Sequence, residues 1–156
     1  MDYQQLGILL QCVFPEFTDR ALKLLWAAAE RAFARGTHVL PEHCLLALSD
    51  IDAGAGRLAL ELLGVKLRPK DAHLEPVFPI RFALAEDEPL AFTPEMFQLF
   101  ADARAASRNL GHKYVGTEHL ILGMLNGPSS PARDFLEERC VTFEKAREAV
   151  RLVLVS

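Results

Sequence analysis

Two long stretches of the chain carry apolar residues at three- and four-residue steps, which is the period of an amphipathic helix. We therefore predict one helix in each stretch, with the repeating side chains on its buried face. The positions are Leu22, Leu25, Ala29, Ala32 and Phe33 in the first stretch, and Phe97, Phe100 and Ala101 in the second, where Arg104 takes the next position of the same spacing.

Both predicted helices have clear start and stop signals. Thr18 and Thr93 each precede the first helical residue, where a hydroxyl can accept a hydrogen bond from a free backbone N–H. Pro94 follows Thr93 and suits the first turn. Gly36 and Gly111 stand where the helices should stop, as expected of residues in a left-handed C-terminal cap.

The same apolar spacing predicts further helices. A second helix should begin near Pro41-Glu42 and its counterpart near Thr117-Glu118. Shorter helices are expected from Gly56 to Leu63 and from Pro131 to Glu138, and a last one from Phe143 to Val153. The total is about eight helices. Strands are not expected, because Val and Ile are too scattered to supply several of them. The predicted fold class is all-α.

The chain also reads as one pattern repeated. Matching residues occur in the same order in both halves, with one extra residue after the glycine of the second copy. The matched pairs are Phe17-Thr18 with Phe92-Thr93, Leu24 with Leu99, Ala28 with Ala103, Gly36 with Gly111, Val39 with Val115, Glu42-His43 with Glu118-His119, and Leu46 with Leu122. We therefore predict two tandem four-helix repeats related by pseudo-twofold symmetry, plus an N-terminal extension.

These matches define the predicted domain organisation. Residues 1–16 lie outside the pattern and form the N-terminal extension, and residues 17–154 form the repeated module. Within the module, repeat one covers 17–65 and repeat two covers 92–154. The connector at 66–91 has four prolines and the acidic run Glu86-Asp87-Glu88, so no long regular structure is expected there.

Composition narrows the function classes. Seventeen Lys and Arg against 21 Asp and Glu give a net charge of -4, and the basic residues form no stripe, which argues against a nucleic-acid partner. No apolar run approaches the roughly 18 to 20 residues that span a bilayer, and the chain start lacks the basic flank of a signal peptide. We expect a cytoplasmic protein without a membrane partner. The oligomeric state is left open.

The cysteines and histidines do not form a recognisable metal or redox motif. Cys12, Cys44 and Cys140 are far apart in apolar stretches and are expected to be buried in a reducing compartment. His43 and His119 directly follow the two matched glutamates. The spacing of His and Glu residues around them fits no zinc-peptidase pattern, so no metal is predicted. Both histidines should be partly buried and hydrogen-bonded. Trp26 and Phe33 are expected in the core.

One segment of repeat two resembles a known family. Phe92-Thr93-Pro94 and the run Leu110-Gly111-His112-Lys113-Tyr114-Val115-Gly116-Thr117-Glu118-His119-Leu120-Ile121-Leu122-Gly123-Met124-Leu125 are similar to the second repeat of the Clp N-terminal domain, as found in the ClpC and ClpA unfoldases. The resemblance spans roughly residues 17 to 154. Repeat one departs from the pattern, because Leu40-Pro41-Glu42-His43 replaces Gly-Thr-Glu-His.

The resemblance implies a non-catalytic recognition module of the Clp proteolysis system that binds protein substrates, adaptors or Clp subunits. In the ClpC branch such domains bind proteins tagged with phosphoarginine, with one pocket per repeat. The matching residues here are Thr18, Glu42, Thr93 and Glu118. A carboxylate suits a guanidinium, and a helix start suits a phosphate.

Several alternatives stay open on the sequence alone. A threonine at a helix start and a glutamate in the first turn also stabilise a helix without any ligand. The chain has no G-x-x-x-x-G-K-[ST] phosphate loop, so we expect no ATPase machinery, no cofactor and no enzyme activity, as in a free-standing or excised Clp N-domain. A second hypothesis is a structural or regulatory subunit that docks on a Clp protease or unfoldase.

Overall fold

The computed structural model describes residues 15–51, 54–74 and 92–155, and within them the fold is all-α. The only strand-like pairings in these ranges are two isolated β-bridges. The predicted all-α class is thereby confirmed. The helices of the described part are α1 (Asp19–Ala34), α2 (Pro41–Ala47), α3 (Gly54–Leu62), a 3-10 helix (Pro69–Leu74), α4 (Pro94–Asn109), α5 (Thr117–Asn126), α6 (Pro131–Glu138) and α7 (Phe143–Val155).

The two halves follow the same order of elements. Helices α1 to α3 and the 3-10 helix correspond to α4 to α7, so the fourth helix of repeat one is a short 3-10 segment. The two bridges join the halves reciprocally, because Phe17 pairs with Val115 and Phe92 pairs with Val39. Each repeat therefore places its opening residues against the loop before the second helix of the other repeat.

The predicted helix starts are confirmed. The Thr18 hydroxyl accepts from the Ala21 N–H at 3.1 Å, and the Thr93 hydroxyl accepts from the Met96 N–H at 3.4 Å. Each hydroxyl satisfies one of the backbone donors that the first turn of a helix leaves free.

The glycine stops are confirmed as well. Gly36 has φ 67° and Gly111 has φ 80°, the left-handed region in which glycine is unstrained. Gly64, with φ 82°, ends α3 in the same way. Its counterpart after α6 is Cys140, with φ 62°, the only non-glycine residue at positive φ in the described part of the chain.

The buried face of α4 differs from the predicted one. Phe97 is 54% exposed and Ala101 is also exposed. The residues that line the core are Met96, Leu99, Phe100, Ala103, Ala106 and Ser107. The prediction was shifted because it followed the large phenylalanines, whereas the register is decided by α5, whose Gly123 lies against the Leu99 and Ala103 backbone.

The buried face of helix α1 consists mainly of alanines. Ala21, Leu24, Ala28 and Ala32 are fully buried. Phe33 is 64% exposed, so its predicted place in the core was wrong. An alanine-rich face lets neighbouring helices approach closely, and the large ring in the last turn falls outside that contact.

The remaining core predictions have mixed outcomes. Trp26 is half-buried. Cys44 is buried as expected, but Cys140 is exposed, because it occupies the turn after α6 and not a helix face. Cys12, the N-terminal extension as far as residue 14, and the connector from residue 75 lie outside the described residues. Within the described part, no helix has the length and apolar character needed to cross a bilayer.

Candidate ligand-binding site at the helix starts

Two buried histidines hold the helix starts that carry the candidate glutamates. His43 Nδ1 accepts from the Leu40 N–H at 3.0 Å, and His119 Nδ1 accepts from the Gly116 N–H at 2.9 Å. Each histidine stands at the third helical position, where a side-chain acceptor can reach back to the residue before the helix. The predicted hydrogen bonds are confirmed, but both histidines are fully buried and not partly buried as expected.

The threonines lie against the opposite repeat. The Thr18 N–H donates to the Val115 carbonyl at 3.0 Å, and the Thr93 N–H donates to the Val39 carbonyl at 3.1 Å. Thr18 therefore lies beside the segment that leads into Glu118, and Thr93 beside the segment that leads into Glu42. The family resemblance implied one pocket per repeat, whereas each threonine lies against the segment of the opposite repeat that leads into a glutamate.

The two threonine hydroxyls are used differently. Thr93 Oγ1 donates to the Val39 carbonyl at 3.0 Å and accepts from the Met96 N–H, so both its donor and an acceptor site are engaged. Thr18 Oγ1 accepts from the Ala21 N–H, and its proton has no acceptor among the described residues. Thr18 is also only half-buried, while Thr93 is buried. Of the two hydroxyls, that of Thr18 is free to donate to a ligand.

The two glutamates show the same asymmetry. Glu118 is 4% exposed, and its Oε1 has no hydrogen-bond partner in the described part of the chain. His119 Nδ1 lies 3.4 Å from that oxygen but is already the acceptor of the Gly116 N–H, so it donates nothing. Glu42 is 3% exposed, and its carboxylate accepts from the Ala132 backbone N–H.

A single glycine explains why the two carboxylates differ. The Glu118 side chain folds back over Gly116, where a Cβ would lie 1.8 Å from Oε1. Repeat one has Leu40 at the matching position, and its side chain would occupy that space. Glu42 therefore takes a different path and meets the start of α6.

The two glutamates also differ in what accepts from the backbone N–H at the start of the third helix of each repeat. The Gly56 N–H at the start of α3 donates to Thr117 Oγ1 at 3.0 Å. Ala132 is the counterpart of Gly56, but residue 41 is a proline without a hydroxyl, so the Ala132 N–H is satisfied by Glu42 instead. In repeat two the threonine performs this structural role, and Glu118 Oε1 has no partner among the described residues.

Both carboxyl groups are held partly protonated near neutral pH. Burial raises the pKa of Glu118 to about 7, opposed by a hydrogen bond from its own backbone N–H. Burial also raises the pKa of Glu42 to about 7, where bonds from its own N–H and from Ala132 oppose the rise and the neighbouring Glu95 adds to it. A cation placed against either carboxyl would favour the ionised form.

An aromatic cluster borders Glu118. His119 Nε2 lies 2.8 Å from His112 Nδ1, and the Tyr114 ring stacks on His112 at 5.1 Å between centroids. Burial, together with His112, lowers the pKa of His119 to about 4, so it is neutral at pH 7. Burial, with the Glu118 carboxylate, raises the pKa of the Tyr114 phenol. The cluster fixes the loop between Gly111 and Glu118.

Sequence reasoning missed the residues that make the two sites unequal. Gly116, Thr117 and Ala132 were not candidates, although the contrast between Gly-Thr in repeat two and Leu-Pro in repeat one was visible. Among the described residues, no group of three or more His, Cys, Asp or Glu side chains is placed to hold a metal ion.

Comparison with known proteins gives consistent matches. The model of the Clp repeat (R) N-terminal domain family matches residues 16–139 and 91–154. Over 145 residues, or 92% of the chain, the sequence is 32% identical to the negative regulator of genetic competence ClpC/MecB of Bacillus subtilis and 30% identical to the chaperone protein ClpB of Oceanobacillus iheyensis. The chain spans 18% of the length of each of these two relatives.

A solved structure supports the same fold. The N-domain of ClpV from Vibrio cholerae superposes with a TM-score of 0.69, covering 99% of this chain and 90% of that domain. The sequence identity of the pair is 19%, so this comparison speaks for the fold alone.

Proposed function

The chain belongs to the Clp repeat (R) N-terminal domain family, and from this membership we propose that it is a non-catalytic, cytoplasmic recognition module that binds protein substrates or adaptors of a Clp proteolysis system. The ClpC/MecB and ClpB relatives are far longer proteins, so the module would act as the receiving part of a larger machine. The family assignment supports the class of function, and the site geometry supports its detail.

The specific proposal is that Thr18 and Glu118 bind a phosphoarginine side chain of the substrate. The observation that carries it is the buried Glu118 Oε1 without a hydrogen-bond partner among the described residues, in a segment that Val115 joins to the start of α1. A guanidinium has forked N–H donors that match a carboxylate, while a phosphoryl group suits the free N–H groups and the positive end of a helix. Thr18 adds a hydroxyl donor.

Glu42 and Thr93 form the weaker half of this proposal. Both side chains already have hydrogen-bond partners within the protein, because Thr93 bonds Val39 and Glu42 bonds Ala132. A ligand at that site would first have to break these contacts. We therefore propose that the Thr18–Glu118 site dominates binding and that the Thr93–Glu42 site is mainly structural.

Access to Glu118 requires its carboxylate to rotate outwards. Its side chain is only 5% exposed, but Oε1 forms no bond that would hold it over Gly116. Ionisation favours the rotation, since a buried charge is costly. Binding of a guanidinium should therefore strengthen as the pH rises through about 7, the pKa of this carboxyl group.

Calorimetric titration with a phosphoarginine peptide tests the proposal. We expect saturable binding by the wild type and a loss of about tenfold or more in Glu118→Gln, because hydrogen bonds between charged groups contribute roughly 1.5 to 3 kcal/mol. Glu42→Gln is the matched control and should change the affinity less than about threefold. Absence of binding by the wild type, or equal affinity in Glu118→Gln, would reject the site.

The second hypothesis, an accessory subunit that docks on a Clp protease or unfoldase, is favoured by exposed leucines. Leu58 and Leu62 on α3, and Leu152 and Leu154 on α7, are each 40% to 55% exposed, and these helices pack together. Co-purification separates the hypotheses. Capture of proteolytic subunits that is lost in Leu58→Asp but kept in Glu118→Gln would favour docking over substrate recognition.

A further inference from the structure

A polar cavity lies beside the loop that leads into α5. Its volume is about 290 Å³, and it opens between the first described residues, the end of α4 and the loop that follows. The residues around it are Pro15, Glu16, Arg104, Ser107, Arg108, His112, Lys113 and Val115. None of the four proposed ligand residues lines it.

The walls of this cavity are tied together by backbone hydrogen bonds. The Val115 N–H donates to the Glu16 carbonyl at 2.9 Å, which joins the first described residues to the loop. The His112 N–H donates to the Ser107 carbonyl at 2.9 Å, and the buried Ser107 hydroxyl donates to the Tyr114 carbonyl. The cavity is therefore a fixed feature of the fold, held from both sides.

The charge inside the cavity is positive, although the chain carries a net charge of -4. Arg104 pairs with Glu16, so these two charges offset each other. Arg108 and Lys113 have neither a salt-bridge nor a hydrogen-bond partner within the described ranges, and both side chains are exposed. Among the described residues, two uncompensated cations thus face a cavity whose only carboxylate, that of Glu16, is already paired.

His112 adds a neutral donor. His119 Nδ1 accepts from Gly116, so the proton of His119 is on Nε2 and donates to His112 Nδ1. His112 therefore carries its own proton on Nε2, where it has no partner among the described residues. This N–H is available to a ligand without any change of protonation state.

The end of α4 does not oppose an anion here, because its carbonyls are largely occupied. Ala106 and Ser107 accept from the Leu110 N–H, and Arg108 accepts from the Gly111 N–H. Carbonyls that are already hydrogen-bonded present less negative charge to the cavity than free ones at a bare helix end.

We propose that this cavity binds a phosphoryl group, with Arg108 and Lys113 as its charge partners and the His112 Nε2–H as a neutral donor. A phosphoryl group carries nearly two negative charges at pH 7, which matches two free cations, and it has three acceptor oxygens for the donors around the cavity. A carboxylate carries half that charge. The forked guanidinium of Arg108 suits the geometry of phosphate oxygens.

This site goes beyond the proposed function because it does not use a carboxylate to bind a guanidinium. It requires only the anion, so it would accept a phosphorylated serine or threonine on a partner protein as well as free phosphate. The shared chemistry is the phosphoryl dianion, and comparing a phosphoserine peptide with inorganic phosphate distinguishes the two sources.

NMR titration of the whole chain tests this site, with inorganic phosphate and with a phosphoserine peptide as probes. We expect saturable shifts at the amides of Arg108, His112 and Lys113, and a loss of affinity of about tenfold or more in the double variant Arg108→Gln/Lys113→Gln, since two charge-assisted contacts are removed. The control Lys145→Gln removes an exposed cation on α7 and should leave the affinity unchanged.

Each result has a definite meaning. Tighter binding of the phosphoserine peptide than of inorganic phosphate identifies a protein-borne group as the source, and equal binding identifies the free anion; both support the site. No saturable shift with either probe, or equal shifts in the double variant, overturns it. Phosphoarginine binding at Glu118 should survive in the double variant, so failure of one site is distinguishable from failure of the other.

Discussion

The Glu118 carboxylate lies directly against Gly116, two residues earlier in the chain. A Cβ on Gly116 would lie 1.8 Å from Glu118 Oε1, far inside any allowed separation. The obstructed atom is the end of a flexible side chain, so it can move without disturbing the backbone. Residue 116 therefore decides where the carboxylate of residue 118 is placed.

The first prediction is that Gly116→Ala expels this carboxylate from its buried position. Its pKa should fall from about 7 towards the ordinary value of 4.5, because burial is the main cause of the rise. Carboxyl-carbon NMR over pH 4 to 8 would measure this. Gly111→Ala, in the same loop but with no neighbour within 4 Å, should leave the pKa of Glu118 near 7. A Glu118 pKa near 7 in Gly116→Ala would contradict the packing described here.

The second prediction concerns stability and pH. The folded state binds the Glu118 proton more tightly than the unfolded chain does. The stabilisation of the fold that results is therefore fully present below pH 4.5 and is lost as the pH rises through 7. Glu118→Gln imitates the neutral form and should be more stable than the wild type at pH 8, by up to about 3 kcal/mol.

Urea denaturation at several pH values measures that difference, which should shrink as the pH falls towards 4.5. The exposed Glu148 provides the control, and Glu148→Gln should alter the free energy of unfolding by less than about 0.5 kcal/mol. If Glu118→Gln is no more stable than the wild type at pH 8, the carboxyl group is not held in its neutral form by burial.

The third prediction concerns the buried histidine that caps α5. His119→Ala leaves the Gly116 N–H without an acceptor and removes a packed ring, so the free energy of unfolding should fall by roughly 2 to 4 kcal/mol. His119→Gln should recover part of the loss, since glutamine at the third helical position can also accept from that N–H. Chemical denaturation of both variants at pH 7 would measure this, and equal losses would argue against the capping role.

The low pKa of His119 also predicts that acid destabilises the fold. Its folded pKa is about 4, below the unfolded value of 6.5, so its contribution is complete above pH 6.5 and is lost as the pH falls through 4. His119→Gln should not show this part of the acid transition.

The fourth prediction uses the equivalent turns after α3 and α6. Gly64 and Cys140 both adopt the left-handed conformation, with φ 82° and 62°, and only the cysteine is strained by it. Cys140→Gly should raise the free energy of unfolding by about 0.5 to 1 kcal/mol, and Gly64→Ala should lower it by about 1 kcal/mol. Thermal denaturation of the two variants provides the measurement. A destabilised Cys140→Gly variant would mean that the thiol makes a compensating contact.

The fifth prediction concerns the contact between α4 and α5. A methyl group on Gly123 would lie 2.7 Å from the Leu99 carbonyl oxygen and 2.9 Å from the Ala103 nitrogen, and backbone atoms cannot move aside without separating the helices. Gly123→Ala should therefore destabilise the fold by roughly 2 to 3 kcal/mol. An unobstructed helical glycine would instead gain about 1 kcal/mol on the same change. The sign of the measured difference decides between these expectations.

Much of the fold could be predicted because the signals are local. Thr18 and Thr93 mark helix starts through bonds to residues three positions on, and Gly36 and Gly111 mark helix ends through their own φ. The repeated order of residues then predicts two equivalent halves. The register of α4 could not be obtained in this way, because its buried face is chosen by the close approach at Gly123 and not by the size of its own side chains.

The candidate site was predicted residue by residue but not as an arrangement. The resemblance to the Clp N-terminal domain pointed to Thr18, Glu42, Thr93 and Glu118, and their roles in ligand binding stay predictions. It could not reveal that Thr18 lies against the segment leading to Glu118, because this contact joins residues about a hundred positions apart.

By itself, then, the sequence determined the helices, their caps and the duplication, since each depends on residues within a few positions of one another. The tertiary structure alone decided that the two halves exchange their opening residues and that, of the two candidate glutamates, Glu118 is the one with a buried oxygen that has no partner among the described residues. The physical reason is that hydrogen-bond partners are settled by space and not by chain order. Repeat two has Gly116-Thr117 where repeat one has Leu40-Pro41, so a threonine hydroxyl accepts from the Gly56 N–H while the Glu42 carboxylate accepts from the Ala132 N–H.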